Sequence, residues 1–152
     1  MKMTNRAMIA NYNMLDAFQL REREYFEETG RKLLKGNIRA TFAIKKNKGN
    51  LLTALKPYEE ARQELVEEYR DLEAEKKAID RENELAKAEG RDPRSVAVIM
   101  KEGKETEEYM KKLNELLDIE VEVPVHMVHF EEFDGVELDS AELEPFMFML
   151  AE

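Results

Sequence analysis

His126 and His129 are the pair whose type and spacing most suggest chemistry, because two imidazoles three residues apart can share a metal ion, with Glu131, Glu132 or Asp134 as further ligands. That needs both rings on one side of the backbone. Ile119, Val121, Val123, Val125 and Met127 alternate with more polar residues, the pattern of a half-buried strand, and on a strand residues three apart face opposite sides. The histidines therefore read as ordinary surface or half-buried side chains and the metal expectation is none. The carboxylates of EEFDGVELDSAELE offer many acids but no distinguished pair, whereas acid/base catalysis needs two groups in different environments within one pocket. No glycine-rich phosphate loop, G-x-S-x-G elbow or H-E-x-x-H motif is present, and the absence of cysteine removes thiolate ligands and thiol nucleophiles. The expectation is a non-enzymatic chain with no catalytic residues and no cofactor.

What remains is charge. The net charge of −10 is unevenly spread: residues 1–50 carry 11 basic and 5 acidic side chains, residues 51–118 carry 13 and 19, and residues 119–152 carry 10 acids and no base. Glu131, Glu132, Asp134, Glu137 and Asp139 form a candidate acidic docking face, either for a basic partner or as an imitation of nucleic-acid phosphates. Lys35, Arg39, Lys45, Lys46 and Lys48 form a candidate basic patch between Glu28 and Glu59, where no carboxylate intervenes. Such a patch can hold phosphates, or it can neutralise acidic surface in the same chain or in a second copy. Apposition with acidic surface is the expectation.

These residues must be positioned mainly by helices. Thr4 is a possible cap for a first helix whose apolar stripe runs Met8, Tyr12, Leu15, Phe18 and onward to Gly30 or Gly36. Residues 37–45 fit either a helix or a short strand, with helix favoured. From Leu51 the series Leu51, Leu55, Tyr58, Arg62, Leu65, Tyr69, Leu72, Lys76, Ile79 steps by fours and threes, predicting one long coiled-coil-like helix to Gly90, kinked or interrupted at Pro57. SVAVIM is a short buried helix or a brief strand, KETEEYMKKLNELLD a helix, and residues 119–127 an edge strand because Pro124 lacks a ladder donor. Asp139 or Ser140 opens a terminal helix, with Glu142 or a neighbour closing a capping box. The fold class expected is mainly α with a small β element: a long antiparallel helical hairpin plus a C-terminal edge strand and short terminal helix. One domain is expected over 1–152, with 1–118 as hairpin and packing helices and 119–152 as acidic strand and terminal helix. No segment has the apolar length of a membrane span or a signal peptide.

The order of the segments MTNRAMIANYNML, IRATFAIKKNKGNLLTALKPYEEARQELVEEY, YMKKLNELLDIEVEVPVHMV and VELDSAELEPFMFML resembles an uncharacterised family of small proteins encoded by phages and prophages of Firmicutes, with the family's Lys-Asn at Lys46 and Asn47. The resemblance departs at EREYFEETGRK and ENELAKAEGRDPRSVAVIM. It implies phage origin and a place in the bacterial host cytoplasm or on the virion, without a mechanism. The expected role is an accessory acting by protein–protein contact with a host or phage protein, with homo-oligomers possible and no membrane partner. The alternative is an inhibitor of a host defence system, through nucleic-acid mimicry or nucleotide/phosphate binding.

Overall fold

The computed structural model describes residues 1–136 and 138–151. The fold is mainly α-helical with a small β element: β1 (Lys2–Thr4), α1 (Asn5–Thr29), α2 (Ile38–Tyr69), α3 (Leu72–Glu89), α4 (Lys104–Leu117), β2 (Glu120–Glu122), β3 (Val128–His129), α5 (Ser140–Leu143) and β4 (Leu150–Ala151). Two 3₁₀ segments, Phe130–Phe133 and Glu144–Met149, flank α5. Among the described residues no helix is long and apolar enough to cross a membrane. The chain divides into two compact units, Met1–Tyr58 with Leu117–Glu152, and Glu59–Leu116. The acidic segment 119–152 thus groups with the first 58 residues, a different partition from the expected break after 118.

In the first unit, Thr4 caps α1 by accepting from the Ala7 amide at 3.1 Å, and Gly30 ends it in the left-handed region at φ 69°, donating to the Phe26 carbonyl. Residues 37–45 open a helix, because the Asn37 carboxamide oxygen accepts from the Arg39 and Ala40 amides, both at 3.1 Å. Lys48 of α2 pairs with Asp16 and bonds Gln19 of α1, and Lys45 acts on Glu22, so rising numbers on one helix meet falling numbers on the other. α1 and the first part of α2 are therefore an antiparallel hairpin. Met8, Leu15 and Phe18 from α1 and Ala40, Ile44, Leu51 and Leu55 from α2 are buried, together with Val123, Val128, Phe133, Phe146 and Met149 from the C-terminal segment.

The edge strand is shorter than its alternation predicts. β2 stops at Glu122, paired antiparallel with β1 in the register Met3↔Val121. Beyond it Pro124 has no N–H, and side chains of α2 replace a ladder: Asn50 donates to the Pro124 carbonyl at 2.9 Å, while Asn47 bonds both main-chain groups of His126. The N-terminal partner strand and the parallel pair β3–β4, in the register Val128↔Leu150, are too short to carry a periodic signal. Asp139 and Glu142 form the expected capping box, the Glu142 amide donating to Asp139 at 2.8 Å and the Asp139 amide to Glu142 at 2.9 Å.

The predicted long helix from Leu51 to Gly90 is two. α2 runs through Pro57 without ending there; Pro57 and Thr53, whose carbonyl loses its helical donor, both lie on the exposed side where water can compensate. The break falls instead at Arg70 and Asp71. Asp71 caps α3 by accepting from the Ala74 amide, and an isolated bridge joins Arg70 to Met100, with the Asp71 amide on the Ile99 carbonyl at 2.7 Å. SVAVIM supplies that bridge rather than a helix or strand of its own, and Val98 is half exposed. Leu65 and Tyr69 remain buried, but past the break Leu72 and Ile79 are exposed, so the inferred seam ends at Tyr69.

Arg70 clamps this joint, donating to Glu75 from Nε at 2.9 Å and Nη2 at 2.8 Å and to Glu67 at 2.7 Å. The paired guanidinium holds the Glu75 carboxyl below its ordinary value of 4.5. A lowered folded pKa means that the native state binds the proton less readily than the unfolded chain, so the contribution is present above 4.5 and is lost as pH falls through the folded value. In urea titrations at a series of acid pH values, Glu75→Gln is expected to fall less steeply than the parent below that point. Parallel curves would place the acid sensitivity elsewhere.

Candidate functional site

α2 carries two seams. Ala40, Ala43, Ile44, Asn47, Leu51, Leu55 and Tyr58 face the core, all at most 7% exposed. Roughly opposite, at alternating steps of four and three, stand Ile38, Phe42, Lys45, Gly49, Leu52 and Lys56, all exposed. That spacing is the repeat by which one helix packs along another. Ile38 is 80% exposed, Phe42 54% and Leu52 58%, values at which large apolar side chains of a helix are mostly open to water. Gly49 sits in the same line, and a methyl group added to it would meet nothing within 4 Å. A helix-interior glycine costs about 1 kcal/mol relative to alanine, and no packing within the chain requires this one.

The C-terminal segment borders this face. The Phe42 ring meets the His126 ring edge-on at 5.4 Å, and Asn37 donates to the carbonyl of Glu132. In the same segment Met127 and Phe130 are 43% and 57% exposed. His126 lies outside the strands and His129 ends β3. No group of three or more histidine or carboxylate side chains able to hold a metal ion is found among the described residues.

The sequence-predicted basic patch is divided three ways. Lys48 turns toward α1, paired with Asp16 and 5.4 Å from the centre of the Tyr12 ring. Arg39, Lys45 and Lys46 are exposed on or beside the outer seam, and Lys35 lies in the connection between α1 and α2. These four make no ion pair among the described residues, where Lys48 pairs with a carboxylate and Lys45 acts on one at longer range. Lys45 still opposes the burial that pushes the Glu22 carboxyl up. The acidic set is also dispersed: Glu131 and Asp134 are exposed, Glu132 is half-buried, Asp139 is engaged in its capping box, and Glu137 lies outside the described residues.

The outer seam was missed because the periodicity of residues 37–45 was ambiguous, and the mixed Ile-Phe-Lys-Gly-Leu-Lys series does not read as apolar. Once Asn37 is taken as the cap, the same spacing count that finds the inner seam finds the outer one. Searches of family models, curated proteins and solved structures return no match to this chain.

Proposed function

We propose that this protein is a non-enzymatic accessory of phage origin that acts by protein–protein contact, with the outer face of α2 as its docking surface and a host or virion protein as partner. The observation that carries the reading is the exposed line Ile38, Phe42, Lys45, Gly49, Leu52, Lys56: apolar side chains at packing intervals, a glycine that admits close approach, and cations within the line. Its chemistry calls for a partner helix bearing leucine-like side chains and carboxylates, since Lys45 and Lys56 lie within the contact and Arg39 and Lys46 at its margin. A second copy applying the same face would set lysines against lysines, which disfavours a symmetric pairing there.

The double variant Phe42→Glu, Leu52→Glu tests this. Both side chains are more than half exposed, so the variant should stay within about 1 kcal/mol of the parent in stability. Affinity capture from infected cells is expected to recover a partner with the parent and to lose it with the variant. A partner retained equally by both would exclude this face as the contact.

A further inference from the structure

The end of α1, the connection to α2 and the side of α5 border an open cleft of about 720 Å3 in the first unit. Its lining includes four cations, Arg21, Arg31, Lys32 and Lys35, against one carboxylate, Glu142, and two aromatic residues, Tyr25 and Phe26. In a chain of net charge −10 this is a concentrated positive site. Arg31, Lys32 and Lys35 make no ion pair among the described residues, and with one carboxylate in the lining against four cations the cleft keeps a positive excess that a bound anion would relieve.

The backbone that carries the cations is also held in place. Leu34, 1% exposed, anchors the connection in the core. The Arg31 amide donates to the Thr29 hydroxyl at 3.1 Å, that hydroxyl donates to the Tyr25 carbonyl at 2.7 Å, the Lys35 amide to Lys32 at 3.0 Å, and the Asn37 amide to Leu34 at 2.8 Å. Lys35 has φ 48°, the one left-handed non-glycine among the described residues, in a turn followed by Gly36 at φ 73°. Arg21 is paired with Glu142, whose other carboxylate oxygen accepts the Asp139 amide, so the capping box of α5 orients this guanidinium. A loop fixed in this way presents charge without a further cost in backbone ordering.

We infer that this cleft binds a nucleotide, its phosphates held by Arg31, Lys32 and Lys35 and its planar base against Tyr25 and Phe26. The volume exceeds what an inorganic phosphate fills. Guanidinium and ammonium groups match phosphate oxygens, and an aromatic wall accepts any base through its face. Phe26, 50% exposed, has ring surface left for such a contact. An adjoining cleft of about 440 Å3 shares Phe26, Lys32 and Gly36, which leaves room for the sugar or base to extend. The cations and aromatic residues of the main cleft lie outside the outer seam of α2, of which Ile38 alone lines the adjoining cleft, so the inference does not rest on the docking role proposed for that face.

Calorimetric titration of the full chain with ADP, adenosine, pyrophosphate and a short single-stranded oligonucleotide tests the assignment. ADP is expected to bind, with adenosine and pyrophosphate each weaker by about tenfold or more, because each lacks one half of the recognition. Lys32→Gln with Lys35→Gln should weaken ADP by about tenfold or more, and Phe26→Ala should weaken ADP while leaving pyrophosphate unchanged. Arg31→Gln serves as an independent charge variant should the double replacement disturb the loop, and thermal melts confirm that each variant is folded. Absence of ADP binding, pyrophosphate binding as tightly as ADP, or indifference to both charge variants overturns the inference. An oligonucleotide bound more than about tenfold tighter than ADP overturns it in favour of a polymeric ligand.

Discussion

Replacing Phe146 with alanine is expected to lower the unfolding free energy by about 3–5 kcal/mol, read from urea or guanidinium titration. Phe146 is fully buried and lies edge-on to Phe18 of α1 at 4.7 Å and tilted against Phe133 at 5.1 Å. Truncation removes both ring contacts and leaves a cavity where α1 and the C-terminal segment meet. In the 3₁₀ segment Glu144–Met149 side chains three apart share a side, which is why Phe146 and Met149 are both buried while Met147 is 63% exposed. The lost ring therefore loosens a whole short element, and exchange protection of the β3–β4 amides should fall with it. Phe146→Leu keeps most of the volume and should cost about 1.5 kcal/mol or less if the site repacks. An alanine variant within about 1 kcal/mol of the parent would show that the C-terminal segment contributes little to the fold, against a total stability of about 5–15 kcal/mol for an ordinary domain.

What could be read from the sequence divides according to how local its cause is. The cap at Thr4, the end at Gly30, the helix Lys104–Leu117 and the Asp139–Glu142 box each depend on a few adjacent residues; the first and third are where the sequence places them, and the structure selects Gly30 over Gly36 and Asp139 over Ser140. The inner seam was legible as far as Tyr69 because its steps of three and four are those of one continuous helix. It failed beyond, since Leu72 and Ile79 keep the spacing while the backbone between them and Tyr69 departs to bridge Met100. A local signal for that break exists: Asp71 followed by Glu73 and Glu75 is a capping residue with acids in the first turn. Periodicity across it outweighed it.

The strands were harder because β1, β3 and β4 have two or three residues each, and their pairing is decided by partners far along the chain. Of the candidate site residues, the basic cluster was visible as composition, but its division among the α1 side, the outer face and the cleft depends on helix phase and on where α1 ends. Tyr25 and Phe26 read as alternative continuations of the α1 stripe, and Arg21 carried no signal of its own. Only the return of Glu142, some 120 residues later, makes Arg21 part of the cleft.

Asn47 is the polar position within the inner seam, and Asn47→Leu is expected to cost about 2–4 kcal/mol even though it adds apolar volume to a buried place. The Asn47 side chain, 1% exposed, donates through Nδ2 to the His126 carbonyl at 2.8 Å and accepts through Oδ1 from the His126 amide at 2.7 Å. It thus stands in for a neighbouring strand at the point where Pro124 has interrupted the ladder, and leucine would leave both main-chain groups without that partner. Asn47→Asp separates the two bonds. A carboxylate can still accept from the His126 amide, but it faces the His126 carbonyl with a charge and no donor, whereas a protonated carboxyl can supply both. Its folded pKa should therefore rise above the ordinary aspartate value of about 3.9, so its penalty relative to the parent is greatest near neutral pH and shrinks as pH falls toward 4. Urea titrations of the parent and Asn47→Asp at matched pH values measure that difference directly, with shared acid effects cancelling. A penalty that stays constant from neutral to acid pH would mean that the Asn47 donor does not hold the His126 carbonyl. The C-terminal segment would then be fixed to α2 by the His126 amide on Asn47 Oδ1, by Asn37 and Asn50, and by its apolar side chains.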